Sequence, residues 1–133
     1  MSLHDQFANE IDKEALLLGA KNNLQVGLAR SCFSIRVLDM FGDLTDLTIN
    51  QKANILLGSI LQEDLQAIKN SKALNLTKQT KIVICGKSIL RDGLAELIKH
   101  DPYFTGDVIT IDSTQTPLSL HGALAIAKHK NII

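Results

Sequence analysis

The sequence predicts a helix-rich α/β fold with a small, mainly parallel sheet, and three observations carry that prediction. Ile82–Cys85 is a short unbroken apolar run followed by Gly86, the pattern of a strand that turns sharply at its carboxyl end. Ile89, Leu90, Leu94, Leu97 and Ile98 then recur at helical spacing, and Asp107–Ile111 (DVITI) reads as a second, β-branched strand. Strand, helix and strand in that order form a right-handed crossover whose strands are parallel.

The earlier elements are helical. Residues 1–9 carry little pattern and read as a leader or flexible N-terminus, with 10–133 forming one α/β domain. Asp12 caps a first helix through Glu14 to Leu18, which Asn22-Asn23 is expected to break or fray. A second helix covers Leu28–Phe41, with Phe33, Val37, Met40 and Phe41 predicted on its core face and Gly42 as its stop. Arg36 borders that face, so its stem can pack while its guanidinium meets an anion or a carboxylate partner. Thr48 and Gln51 form a capping box that opens a long helix to about Lys69. Its apolar stripe includes Ile49, Ala53, Leu56, Leu57, Ile60, Leu61, Leu65 and Ile68, as for a helix buried on more than one side. Gly58 in mid-helix implies close approach of another backbone or a ligand, and contact between helices is the simpler account.

Asn70–Thr80 is a polar connector, and Asp101-Pro102 ends the helix after the first strand, because a residue before proline disfavours α geometry. Pro117–Ala127 forms a closing helix. With only two strands against about five helices, the predicted sheet lacks cover on its faces and edges. A homo-oligomer filling that gap is expected, through the sheet edge or through exchange of a helix such as Thr48–Lys69.

Composition narrows the function classes. The 133 residues are 45% hydrophobic and 21% charged, with 14 basic and 14 acidic residues and no net charge. That balance, without a basic block, argues against nucleic acid or an anionic membrane as partner. No apolar run approaches bilayer length. Cys32 and Cys85 lie in apolar segments and read as buried free thiols in a reducing, cytoplasmic setting. His4, His100, His121 and His129 have no spacing that suggests a metal site, so none is assigned.

Cys85-Gly86-Lys87-Ser88 contains the end of a phosphate-binding loop, but Lys81 stands where the first glycine of a Walker motif belongs. What remains is an ordinary packing unit, or a helix start at which Gly86, Lys87 and Ser88 line a nucleotide or anion edge. Asp112 closes the second strand, a position used for catalysis in many α/β folds, although Asp before Ser113-Thr114 also makes a good turn.

Four segments, in order, resemble the C-terminal part of the 2-dehydro-3-deoxygalactonokinase family of the actin-like ATPase superfamily. They are Phe33-Ser34-Ile35-Arg36, Ile55–Leu65, Ile82–Leu97, and Ser119–Leu124. The chain departs from the family pattern at Gln62, Asp64 and Leu94, where that pattern has glycine, glutamate and tyrosine. The resemblance implies a partial actin-like (RNase H-like) lobe of a kinase that moves the ATP γ-phosphate to 2-dehydro-3-deoxy-D-galactonate. It implies that Gly86, Lys87, Ser88 and Gly58 wall the adenosine, with Arg36 and Asp112 as catalytic candidates. ATP and Mg²⁺ would require an N-terminal half bearing an Asp-x-Gly-Thr-Thr segment, which these residues do not include, so the chain alone is expected to be inactive. The competing expectations are a non-catalytic α/β binding or interaction domain and a lobe of another actin-like sugar kinase.

Overall fold

The carboxyl-terminal half forms the predicted crossover. The computed structural model describes residues 8–112 and 118–130. Strands β1 (Ile82–Gly86) and β2 (Val108–Asp112) are parallel neighbours, joined by helix α4 (Ser88–His100). Before them come α1 (Lys13–Val26), α2 (Leu28–Met40) and α3 (Ile49–Asn70), and α5 (Leu118–His129) follows. The fold is mixed α/β and mostly helical. The leader and Ser113-Thr114 fall wholly or largely outside the described residues.

Helix α3 is the axis of the packing, with α1, α2 and α4 all set against it. Its capping box forms as expected: the Gln51 N–H donates to Thr48 Oγ1, and the Thr48 N–H donates to Gln51 Oε1. The main core joins Leu16, Leu61, Leu65, Ile84, Leu97, Ile98 and Phe104, so α1, α3, α4 and β1 share one interior. Lys69 pairs with Asp101 at 2.8 Å and fixes the end of α3 to the end of α4. The extended geometry of Asp101, at φ −76° and ψ 125°, is that required before Pro102.

Four expectations are corrected. Asn22-Asn23 does not break α1, because both side chains find tertiary partners. Asn22 Nδ2 donates to Ser31 Oγ, and buried Asn23 donates to the Ser59 carbonyl at 2.6 Å and to Glu63. Helix α2 turns the opposite face inward: Ser31 and Ile35 are buried, whereas Phe33, Met40 and Phe41 are largely exposed. Gly42 does stop this helix, at φ 77°. In α3 the buried stripe runs through Ala53, Asn54, Ile55, Gly58, Ser59, Leu61, Gln62 and Leu65, leaving Ile49 and Ile60 exposed. Finally, β1 is not buried on both faces. Ile84 points into the core, while Val83 and Cys85 are exposed on the other side.

Candidate functional site

The site is built at the carboxyl ends of the two strands. Gly86 has φ 141°, a conformation L side chains rarely adopt, and it lets the chain leave β1 and enter α4 within two residues. Parallel register sets Gly86 beside Asp112. Lys87 is the N-cap of α4 and makes no side-chain capping bond, and the first turn of the helix carries no acidic residue. The start of α4 therefore carries the positive end of the helix dipole with a lysine at its cap.

Beside this helix start, between α3 and α4, lies a cleft of about 520 Å³ lined by Ala8, Leu56, Leu57, Ile60, Lys87, Ser88, Ile89 and Leu90. The lining is aliphatic apart from Lys87 and Ser88. Such a cleft suits a ligand with a flat apolar body and an anionic end.

Arg91, which the sequence reading did not single out, organises the strand end. One turn after Lys87, its Nη1 lies 3.6 Å from Asp112 Oδ1 and 3.4 Å from the Ile111 carbonyl, while Nε donates to Asp92 at 3.0 Å. The bond to Asp92, followed by the charges of Asp92 and Asp112, raises its already high pKa. The i, i+4 spacing from Lys87 was the available signal, but it becomes informative only once β2 is known to lie alongside.

Gly86, Lys87, Ser88 and Asp112 are thus brought together, and two other candidates are not. Arg36 is exposed on α2, which packs on α1 and α3, and it does not line the cleft. Gly58 faces α1, where an added Cβ would collide with the Leu16 carbonyl, so close helix packing accounts for it. Asp112 is mostly exposed and ion-paired with Arg91. Among the described residues no group of three or more His, Cys, Asp or Glu side chains could hold a metal ion. No described helix is long and apolar enough to cross a membrane. No family model matches this chain, and neither the curated proteins nor the solved structures yield a match.

Proposed function

We propose that this chain is the nucleotide-side lobe of an actin-like sugar-acid kinase, acting on 2-dehydro-3-deoxy-D-galactonate as the four-segment resemblance implies. The observation that carries the reading is the aliphatic cleft opening onto the start of α4. Leu56, Leu57, Ile60, Ile89 and Leu90 offer an adenine a desolvated wall, and Lys87, Ser88 and the first N–H groups of α4 offer its phosphates donors and positive charge. Arg91 holds Asp112 at the strand end, which keeps that carboxylate oriented beside Gly86. In this reading Mg²⁺ and the phosphoryl-transfer machinery belong to another segment, as the resemblance implies. ATP would bring the phosphoryl group, and this chain's part is to bind, orient and exclude water.

Titrating the chain with a fluorescent ATP analogue tests the reading. Saturable binding is expected, displaced by ADP, weakened several-fold by Lys87→Ala and removed by Ile60→Trp, which fills the cleft. No binding at millimolar nucleotide would overturn it. The second reading, a non-catalytic interaction domain, draws on the exposed apolar face of α2 and requires no nucleotide affinity.

A further inference from the structure

Two surfaces of this chain face water although their chemistry calls for cover, and they suit each other. One is the sheet face opposite α4. Val83 and Cys85 of β1 stand there in register with Ile109 and Ile111 of β2. Val83 is 50% exposed and each isoleucine 40%, whereas parallel strands are ordinarily covered on both faces.

The other surface is α5, Leu118–His129, which packs on none of the other described elements. Leu120 and Leu124 lie one turn apart on one stripe, at 50% and 42% exposure, and Ile126, at 65%, projects from a different side. Ala123, Ala125 and Ala127 fill much of the remaining circumference. A helix apolar on more than one side is suited to burial between surfaces.

We propose that the open sheet face is the seat for α5 of a second copy of this chain, the two copies exchanging their C-terminal helices. Two strands span about 10 Å, the width of one helix, so the face accepts a single helix. If α5 folded back onto its own sheet, only the Leu120–Leu124 stripe would be covered and Ile126 would stay in water. In an exchanged pair the partner's sheet would take the Leu120–Leu124 stripe while the opposite side, with Ile126, would face the helix's own chain, so both sides would be covered. Each half-exposed aliphatic side chain offers roughly 70 Å², so six offer about 400 Å² per copy. With the alanines and backbone of both helices, the pair reaches the roughly 1,000 Å² a specific interface needs. The exchange is assigned to α5 rather than to α3, which α1, α2 and α4 of its own chain surround. Helix exchange is a low-cost route to a two-fold dimer. This inference does not depend on nucleotide binding.

Sedimentation of the full chain at micromolar concentration should show a dimer. Leu124→Asp on the helix and Ile109→Asp on the sheet should each convert it to monomer, with far-ultraviolet circular dichroism reporting whether the fold survives. Independently, in a Cys32→Ser background, Leu124→Cys should form a disulfide with Cys85 that links two chains on a non-reducing gel. A monomer at all concentrations, or a disulfide closed within one chain, would overturn the proposal. So would a dimer that neither aspartate disturbs and no disulfide captures, which would point instead to the α2 face.

Discussion

Gly58 of α3 rests against the main-chain carbonyl of Leu16 on α1, so closely that a Cβ there would overlap the oxygen. Gly19 of α1 meets the Ile55 carbonyl of α3 in the same way. Between these contacts Ser59 Oγ donates to the Gly19 carbonyl at 3.0 Å. The two helices therefore touch backbone to backbone. Gly58→Ala and Gly19→Ala should each cost about 3 kcal/mol, the upper range for overpacking, because backbone cannot swing aside. Gly93→Ala is the control. Its Cβ would meet the flexible Leu61 Cδ1 at 2.9 Å, and helix propensity offsets the strain, so a change within about 1 kcal/mol is expected. Urea denaturation of the three variants checks the contrast, and equal losses would refute it.

Asn54 is fully buried and holds the segment leading into α1. Its Oδ1 accepts from the Asp12 N–H at 3.0 Å, and its Nδ2 donates to the Glu10 carbonyl at 2.8 Å. Asn54→Ala leaves both main-chain groups without that partner and should cost about 3 kcal/mol. Ser31→Ala should cost nearer 1 kcal/mol, since Ser59 keeps the Gly19 and Ile55 carbonyls as partners and Asn22, which loses an acceptor, is only part-buried. Calorimetric melting of the two variants would rank them, and the reverse order would count against this account.

Lys52 Nζ and Asp39 Oδ1, 2.6 Å apart, tie α3 to α2. The hydrogen bond from Lys52 is the main cause of a lowered Asp39 pKa, with burial opposing it and the Lys52 charge assisting. A depressed folded-state pKa stabilises the fold fully above the ordinary carboxylate range. That contribution declines as pH falls through the range and is lost below the lowered folded value. The stability difference between wild type and Asp39→Asn should therefore be largest at neutral pH and vanish in strong acid. Chemical denaturation at a series of pH values measures it, and a difference independent of pH would exclude this linkage.

The two thiols should react unequally. Burial raises the Cys32 pKa, so its thiolate forms at higher pH than an ordinary cysteine's, while Cys85 stands exposed on the sheet. In dilute solution at mildly alkaline pH, iodoacetamide should modify Cys85 first, as quantified by peptide mass spectrometry. Raising the protein concentration should slow Cys85 and leave Cys32 unaffected, because only Cys85 lies beneath an exchanged α5. Equal rates at both thiols would contradict the assignment.

The β1–α4–β2 unit was legible because its signals are local: an apolar run, a glycine, a 3.6-residue period and a β-branched run. The face of α2 was not. Phe33, Val37, Met40 and Phe41 make the more apolar stripe, yet Ser31 is drawn inward by its 2.8 Å bond to Ser59, a residue distant in sequence. The same network keeps Asn22 and Asn23 helical, where local competition for the backbone would favour a break. An unbroken apolar run implies two covered faces and hence a buried Cys85, but α4 supplies cover on only one. Of the site, Gly86, Lys87, Ser88 and Asp112 could be found as strand-end residues. The Arg91 contact required the parallel register, which no local pattern encodes.

The parallel pairing also constrains the order in which the chain can fold. No hairpin can zip β1 to β2, because the 13 residues of α4 stand between them. The strands meet only after that helix has formed and brought their ends together, so the loop-closure entropy falls due before any ladder bond repays it. Interactions within α4 and against α3 should therefore be present at the folding barrier, and the strand contacts should come after it. Ala95→Gly would then slow refolding, while Val108→Ala would act mainly by hastening unfolding. The strand-end cluster therefore rests on a pairing that forms only once α4 has docked on α3.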